Sequence, residues 1–370
     1  MKILFDGFWW VTGPVSNQLV LHEIVRGWID LFPEDKLFLS IPRDQADSAR
    51  SALGSAVTVL PARLRPQGLS AIFEIPILAR RVKADISITH NFSPLWGHSA
   101  IFLHDVLFQT NPEWFTRKER AYFSLMPLTA PRAAHIFTSS RNEARRIAEM
   151  NGRARTPVAI GLAIGGALLH TEPENLPGSN LKSNSFFLTV GRLNARKNLE
   201  TTCLAAIRSG RISPEHPLVI AGSFQGKKTQ ISAEMKTAIA DGWIRLLGYV
   251  SAGELVWLYS NASSFLFMSL DEGFGLPPLE AMAFGSPVVA SDIPVMREIL
   301  GSHARFVDPT APDALAEALK NLEPHEDEDQ RSSRMSYART HYNWNATVTR
   351  MREHIGTNQL PKSRGVKHDG

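Results

Sequence analysis

The chain has 370 residues, which is more than one hydrophobic core usually organises, so two domains are expected. Its 40 Lys and Arg residues nearly balance 36 Asp and Glu residues, and this small excess of +4 argues against a nucleic-acid binder. A single cysteine excludes an internal disulfide framework, and no apolar run reaches the ~18 residues of a membrane span. We therefore expect a cytoplasmic protein that at most lies against the inner face of a membrane.

Short apolar, β-branched runs alternate with segments of helical periodicity along the chain. In the first half, predicted strands cover residues 3–6, 37–41, 57–60, 85–89, 100–103, 134–138 and 158–162, and predicted helices cover 17–30, 70–82, 116–128 and 141–150. In the second half, predicted strands cover residues 186–190, 217–221, 244–247, 264–267, 287–290 and 304–307. Strands that alternate with helices of this length indicate βαβ units and parallel sheets.

Residues 169–185 separate the two halves, because they lack periodicity and are rich in Pro, Gly, Asn and Ser. The sequence therefore predicts an α/β protein with two Rossmann-like, doubly wound parallel-sheet domains, one over residues 1–168 and one over residues 169–340. Residues 341–370 are expected to form a last helix at 344–354, capped by Asn343, and a disordered tail.

A glycine loop between a strand and a helix is the most informative motif. Gly273 and Gly275 follow a buried strand, and Pro277 suits the first turn of the next helix. The N–H groups of Phe274, Gly275 and Leu276 would then point towards an anion, which the helix dipole also favours. The loop therefore predicts a phosphate-binding site at the start of this helix.

Two carboxylates accompany this loop. Glu280 is expected in the first helical turn, where it could accept both vicinal hydroxyls of a ribose. Glu272 could accept hydrogen bonds from sugar hydroxyls. A structural role for Glu280 stays open, since an acid near a helix N-terminus contributes ~0.3–1 kcal/mol by itself.

A basic turn follows the first strand of the second half. Gly191 and Arg192 come directly after that strand, and Lys197 lies a few residues further on. Loops at the carboxyl ends of parallel strands form the ligand crevice, so both cations are expected to face a pyrophosphate. A solvated basic turn is the alternative for these residues taken alone.

Residues 186–298 resemble glycosyltransferase family 4, whose members are retaining enzymes with the GT-B fold, in which two such domains face a central cleft. The resemblance is carried by the basic turn, by the Glu272-x₇-Glu280 pair and by the segment 285–291. It implies that Glu280 holds the donor ribose, that Glu272 touches the donor sugar, and that Arg192 and Lys197 bind the diphosphate.

The same resemblance implies further roles. Gly248, Tyr249 and Val250 would lie beside the base, and Gly191 and the loop 273–276 would contact the donor. Arg192, Lys197 and Glu272 are also expected to be catalytic, because they stabilise the departing diphosphate or position the sugar.

The first half resembles the family less closely. His104 and Asp105 end a predicted strand, where family members often carry a His or Asp beneath the transferred sugar. We expect His104 to donate to a sugar hydroxyl or to orient the acceptor, with Asp105 fixing its tautomer; a structural histidine is the alternative. Gly13 is expected near the diphosphate, although Pro14 removes a backbone donor there.

No cofactor and no metal are expected. Asp327, Glu328 and Asp329 contain a spacing that metal-dependent transferases use, but acids also gather in the first turn of a helix, which is how we interpret them. Basic residues flank the predicted apolar helix 70–82 (Arg63, Arg65, Arg80, Arg81 and Lys83), and they would suit an anionic membrane surface or a solvated face.

These patterns predict an enzyme that moves a hexose from a nucleoside diphosphate sugar to an acceptor hydroxyl with retention at the anomeric carbon. The donor is GDP- or UDP-linked, with mannose favoured, and the acceptor is a saccharide or a lipid-linked molecule in bacterial polysaccharide or glycolipid synthesis. A GT-B-fold sugar-nucleotide epimerase and a non-catalytic sugar-nucleotide binding protein are the alternatives.

Overall fold

The computed structural model describes residues 1–191, 195–222, 232–322 and 327–357, whose strands form two parallel sheets. The strands of the first sheet pair in the order β3-β2-β1-β4-β5-β6-β7. Their bounds are β1 Lys2–Asp6, β2 Lys36–Pro42, β3 Val57–Ala62, β4 Ile86–His90, β5 Ser99–Leu103, β6 His135–Thr138 and β7 Val158–Ala159.

Helices connect these strands and cover the first sheet. Their bounds are α1 Val15–Leu31, α2 Ala46–Leu53, α3 Gln67–Leu69, α4 Ile75–Val82, α5 Leu107–Thr110, α6 Arg117–Phe123, α7 Leu125–Thr129, α8 Arg141–Met150 and α9 Gly166–Leu169. A π-helical turn, Ser70–Glu74, joins α3 to α4.

The second sheet has the strand order β10-β9-β8-β11-β12-β13. Its strands are β8 Phe187–Val190, β9 Leu218–Ala221, β10 Ile244–Gly248, β11 Ser264–Phe267, β12 Val288–Ser291 and β13 Arg305–Val307. The helices that follow are α10 Leu199–Arg208, α11 Ala233–Ala240, α12 Ala252–Asn261, α13 Leu276–Ala283, α14 Pro294–Leu300, α15 Pro312–Lys320, α16 Glu328–Thr340 and α17 Trp344–Thr357.

The central strands are buried on both faces, as parallel strands with helices on either side must be. Every residue of β4, β5, β11 and β12 is buried. The sequence predicted each of the thirteen strands that form within the described part of the chain, because strands of parallel sheets read as short apolar runs, and the prediction of two parallel sheets is confirmed.

Two predicted helices differ in detail. Segment 70–82 begins with the π-helical turn before α4. Segment 116–128 is divided into α6 and α7, which meet at Ser124. Pro127 explains this break, because it has no N–H to donate to the carbonyl four residues earlier.

The last helix returns to the first sheet. Asn343 Oδ1 accepts from the Ala346 N–H at 2.8 Å, so the predicted cap is confirmed. The Trp344 indole donates to the Ile164 carbonyl, and Arg352 Nε lies 2.8 Å from Asp35 Oδ2, so α17 is anchored at both ends. The predicted tail falls largely at residues 358–370, outside the described residues.

Candidate active site

Loops from the two sheets meet at the carboxyl ends of their strands. Gly273, after β11, lies against the end of β5, where an added Cβ would be 2.8 Å from the His104 carbonyl oxygen. Ser139 and Ser140, after β6, donate to the Gly273 carbonyl at 2.9 and 2.8 Å. Only glycine fits this close approach, and the loop 273–276 is therefore held between the sheets.

Glu272 lies at the centre of a charged cluster. Its carboxylate accepts from Lys197 Nζ at 2.6 Å, from Arg196 Nη1 at 3.0 Å and from Ser269 Oγ at 2.8 Å. Burial by itself would raise the pKa of Glu272, but Arg196 and Lys197 lower it to about 2. Glu272 is thus fully ionised at neutral pH, and a sugar hydroxyl would have to share its oxygens with two cations.

Lys197 ends a 3-10 turn, Ala195–Lys197, that follows β8. Its ammonium lies 4.5 Å from the centroid of the Phe267 ring, and its half-buried side chain pairs with Glu272. Burial lowers the pKa of Lys197, and Glu272 opposes that shift. The basic turn predicted from the sequence therefore faces the crevice rather than bulk solvent.

Arg196 is a site residue that the sequence reasoning overlooked, although it belongs to the same basic turn. Burial would lower the pKa of its guanidinium, but Glu272, Asp105 and Asp271 raise it. Its position next to Lys197 was the available signal. Arg192, predicted to bind the diphosphate, lies outside the described residues, whereas Gly191 is described and donates to the Ala221 carbonyl at 3.0 Å.

The glycine loop leads directly into α13. Gly275 is the N-cap with φ +102°, and an added Cβ would lie 2.4 Å from Met296 Cε, so glycine is required. The cap makes no side-chain hydrogen bond, and a proline lies in the first turn, as predicted. The start of α13 can therefore offer its N–H groups to an anion. Phe274 is buried against Tyr342, and Leu276 is half-buried against the core.

Glu280 lies one turn further along than predicted. Because α13 begins at Leu276, Glu280 is its fifth residue, and the placement in the first turn was wrong. Its Oε2 accepts from the Tyr259 hydroxyl at 2.9 Å, and burial raises its pKa. The helix dipole weakens beyond the first turn, so it no longer explains an acid here.

The loop proposed to lie beside the base follows β10. The Gly248 carbonyl accepts from the Gly222 N–H at 2.7 Å, which joins this loop to the end of β9. Tyr249 is 89% exposed, whereas Val250 packs against the core. Of this loop, Tyr249 is the side chain that a ligand can reach.

His104 pairs with a histidine that the sequence reasoning did not select. His90 Nδ1 lies 3.2 Å from His104 Nε2, and burial lowers the pKa of both rings. We predicted that Asp105 fixes the tautomer of His104. Instead, the Asp105 side chain turns back on its own chain, where Oδ1 accepts from the Leu107 N–H at 3.2 Å. Burial raises the pKa of Asp105, and Arg196 opposes that shift.

The loop after β1 completes the first-sheet side of the site. Trp9 packs its ring 6.3 Å from that of His104, and an added Cβ on Gly13 would lie 2.7 Å from Trp9 Cδ1. Pro14 is the N-cap of α1. Gly13 therefore supports the tryptophan that borders the histidine pair.

A second charged network joins the two sheets. Arg146 donates to Asp271 Oδ1 at 2.6 Å and to Glu143 Oε2 at 2.7 Å. Arg146 and Glu143 belong to α8, whereas Asp271 follows β11. No sequence signal identified this network, because its members are far apart in the chain and become neighbours only when the sheets meet.

The acidic segment before α16 is a helix cap. Asp327 Oδ1 accepts from the Asp329 N–H at 3.1 Å, which confirms our structural interpretation of this segment. Within the described ranges, no group of three or more His, Cys, Asp or Glu side chains is arranged to hold a metal ion. Metal independence stays a prediction, to be checked by turnover in excess chelator.

Residues 173–341 match the family model described as Glycosyl transferases group 1. The chain is 29% identical over 247 residues to the O-antigen chain mannosyltransferase RfbU of Salmonella typhimurium, and the match covers 64% of each chain. It is also 29% identical over 337 residues to the serotype-specific mannosyltransferase WbdA of Escherichia coli, covering 84% of this chain and 39% of that protein. The chain thus spans less than two thirds of the length of these relatives.

Solved structures share the fold. A sucrose-phosphate synthase from Thermosynechococcus elongatus superposes with a TM-score of 0.71 at 14% identity, covering 97% of this chain and 99% of that one. Anabaena HepE, in complex with UDP and glucose, superposes with a TM-score of 0.66 at 18% identity, covering 96% of this chain and 100% of that one. The predicted GT-B architecture is therefore confirmed.

Proposed function

We propose that this chain, whose residues 173–341 are a glycosyl transferases group 1 domain, transfers a hexose from a nucleoside diphosphate sugar to an acceptor hydroxyl. We assign the donor to residues 169–340 and the acceptor to residues 1–168. The observation that carries the proposal is the cluster of buried Glu272 with half-buried Lys197 and Arg196 beside the open start of α13. It combines fixed cations and helix N–H groups, which suit a departing diphosphate.

The four charged residues predicted on the loops of the second sheet each have a role in this proposal. Lys197, together with Arg192, neutralises the diphosphate, and Glu280 accepts the ribose hydroxyls with the oxygen that does not bind Tyr259. Glu272 orients Lys197 and receives a hydroxyl of the sugar. Transfer proceeds with retention, and the leaving phosphate takes the proton of the acceptor hydroxyl as the glycosidic bond breaks.

Mannose is the sugar that we favour, carried by GDP. The support is that RfbU and WbdA are named as mannosyltransferases, and the first of these acts on an O-antigen chain. HepE binds UDP and glucose, which makes UDP-glucose the comparison donor. The product would then belong to a bacterial surface polysaccharide or glycolipid.

A thermal-shift panel followed by a turnover assay tests this proposal. GDP-mannose is expected to raise the melting temperature more than UDP-glucose does, with a shift that grows as ligand concentration exceeds the dissociation constant. Release of GDP should require an added saccharide or lipid-linked acceptor. Acceptor-independent conversion of the sugar would support an epimerase instead, and binding without nucleotide release would support a non-catalytic protein.

We further propose that an apolar face of the first sheet's domain rests on an anionic membrane. The face consists of exposed large apolar side chains, namely Leu64, Leu69, Phe73, Ile77, Trp96 and Leu128. Hydrogen bonds join their segments: the Leu95 N–H donates to the Ile72 carbonyl, and the Ser93 N–H donates to the side-chain oxygen Thr129 Oγ1. Among the described residues, no helix combines the length and the apolar character that a bilayer crossing demands.

The basic residues around this apolar face favour an anionic lipid surface as its binding partner. Exposed basic residues border it, namely Arg63, Arg65, Arg80, Arg81 and Lys83. Apolar side chains with a basic rim suit the boundary between acyl chains and anionic headgroups. This arrangement would hold the chain on the cytoplasmic surface, near a lipid-linked acceptor.

Vesicle co-sedimentation tests the membrane proposal. Wild-type protein should bind vesicles that contain an anionic phospholipid and release from them as salt is raised. The double variant Phe73→Asp/Ile77→Asp should lose this binding, whereas Val15→Asp, at an exposed apolar residue outside the face, should keep it. Equal binding by both variants would contradict the proposal.

A further inference from the structure

His90 and His104 form a pair at the carboxyl ends of two central strands of the first sheet. His90 is the last residue of β4, and His104 follows the last residue of β5. The two rings are nearly parallel, with an interplanar angle of 21° and centroids 5.4 Å apart. His90 Nδ1 and His104 Nε2 are 3.2 Å apart, which is hydrogen-bond distance.

Only one proton can lie between these two nitrogens. Burial lowers the pKa of His90 to about 4 and that of His104 well below its usual range, so both rings are neutral near pH 7. A neutral imidazole carries one N–H, so one ring donates and the other accepts. In either arrangement Nε2 of His104 is engaged, and Nδ1 is the nitrogen left for another partner.

His90 is itself held firmly. Its carbonyl accepts from Gln67 Nε2 at 2.9 Å, and the same amide donates to Asp6 Oδ2 at 2.6 Å. The rings of Trp9 and Phe102 pack against it at 5.9 and 6.0 Å. His90 is only 2% exposed, whereas His104 is partly accessible, so a ligand reaches His104 and not His90.

We propose that His90 is a positioning residue for the transfer reaction. Its Nδ1 holds Nε2 of His104 and thereby fixes the orientation of that ring and couples its tautomer to that of His90, so that Nδ1 of His104 meets the hydroxyl of the bound sugar or acceptor. This inference rests on the proposed function, because it assigns His90 a task at the same site.

Two substitutions distinguish positioning from packing. In His90→Asn, an amide atom can take the place of Nδ1, whereas His90→Phe keeps a ring without a nitrogen. We expect His90→Phe to lower kcat about 10-fold, since small misplacements of a reacting group are costly, and His90→Asn to stay within about 3-fold of wild type. KM for the donor should change less than about 2-fold in both, because the cations and the carboxylates proposed to hold most of the donor lie on loops of the second sheet.

Nitrogen-15 spectra of histidine-labelled protein provide a readout that needs no turnover. The signals of His104 are identified by their loss in His104→Asn. The ratio of the two His104 tautomers should change in His90→Phe, because Nε2 of His104 loses its hydrogen-bond partner, and it should change less in His90→Asn. If no donor is turned over by wild type, the proposed function fails, while the spectra still decide whether His90 fixes the ring.

Two results would overturn the inference. One is an unchanged His104 tautomer in His90→Phe, and the other is equal kcat for His90→Phe and His90→Asn. If His90→Phe does not fold, as judged by thermal unfolding, His90→Gln replaces it, because its longer side chain cannot place an amide atom at Nδ1. The same comparison with His90→Asn then applies.

Discussion

At the scale of single residues, Lys197 is the cation with the most direct proposed role. Lys197→Ala should lower kcat about 10²–10³-fold, as loss of one preorganised group at a developing charge commonly does. The assay is release of nucleoside diphosphate at saturating donor. Lys320→Ala is the matched control, because Lys320 is exposed on α15 and pairs weakly with Glu317 at 3.8 Å.

We also expect Lys197→Ala to fold as wild type does. Removing Lys197 leaves Glu272 paired with Arg196 at 3.0 Å, so the carboxylate is not left without a cation. Circular dichroism should therefore match wild type. Turnover within about 2-fold of wild type in Lys197→Ala would contradict the proposed role, since even a single electrostatic contact to the leaving group contributes more than that.

Substitution of Glu280 can separate its proposed contact with the ribose from its structural hydrogen bond with Tyr259. Glu280→Gln keeps an oxygen that can accept from Tyr259 but loses the charge that strengthens hydrogen bonds from ribose hydroxyls. We expect the dissociation constant for the donor to rise about 10-fold, the loss of roughly one charge-assisted hydrogen bond. Calorimetric titration measures it.

Tyr259→Phe is the control for this prediction. It removes the hydrogen bond to Glu280 Oε2 while it keeps the buried ring, which packs against Phe265 and Phe284. Donor affinity should change less in this variant than in Glu280→Gln. The reverse order would indicate that Glu280 serves the core of the domain rather than the nucleotide.

At the scale of secondary-structure elements, α8 depends on a carboxylate from the other sheet's domain. Glu298, on α14, accepts from the N–H groups of Arg141 and Asn142, both at 2.8 Å. These are the first two residues of α8, whose N–H groups have no partner within the helix. Glu298 therefore caps α8 across the domain boundary.

Loss of this cap should destabilise the protein. We expect Glu298→Ala to lower the free energy of unfolding by about 1–2 kcal/mol, the usual cost of a lost helix cap. Urea denaturation followed by circular dichroism measures this. Glu234→Ala, at an exposed acid in the first turn of α11, should cost less than half as much. Equal losses would mean that the contacts to α8 contribute nothing beyond the helix dipole.

The elements were predictable where the local sequence determines them. Strands buried on both faces, such as Ile86–His90, need continuous apolar runs, and these are visible in the sequence. The start of α17 was likewise predictable from Asn343, and Pro277 indicated the first turn of α13 without fixing its first residue. The π-helical turn Ser70–Glu74 and the exact start of α13 were not, because they depend on how the chain packs rather than on residue preference.

The candidate site was predictable in part for the same reason. Lys197 and Glu272 come from motifs with local spacing, and the structure brings them to 2.6 Å. His90 was missed because its partner lies on the neighbouring strand, where only the order of strands makes them adjacent. Arg146 was missed because its partner Asp271 belongs to the other domain. The roles assigned to these residues stay proposals.

At the scale of the whole molecule, stability is expected to vary with pH through Asp6. This residue ends β1 and is 2% exposed, and an amide of Gln67, rather than a cation, donates to Oδ2. Burial raises the pKa of Asp6 from 3.8 to about 6, and the hydrogen bonds from Gln67 and from the backbone oppose that shift. The folded protein therefore keeps a proton on Asp6 that the unfolded chain releases at lower pH.

The sign of the pH effect follows from this difference in proton binding. Between about pH 4 and pH 6 the folded state binds more protons at Asp6 than the unfolded state, so its contribution to the free energy of unfolding falls as pH rises. Asp6→Asn cannot titrate, so the stability of wild type relative to this variant should fall between pH 4 and pH 7. Asp47→Asn, at a side chain that is 96% exposed, should follow the wild-type curve. Urea denaturation at several pH values decides the matter, and parallel curves for wild type and Asp6→Asn would show that Asp6 binds no more protons in the folded protein than in the unfolded chain.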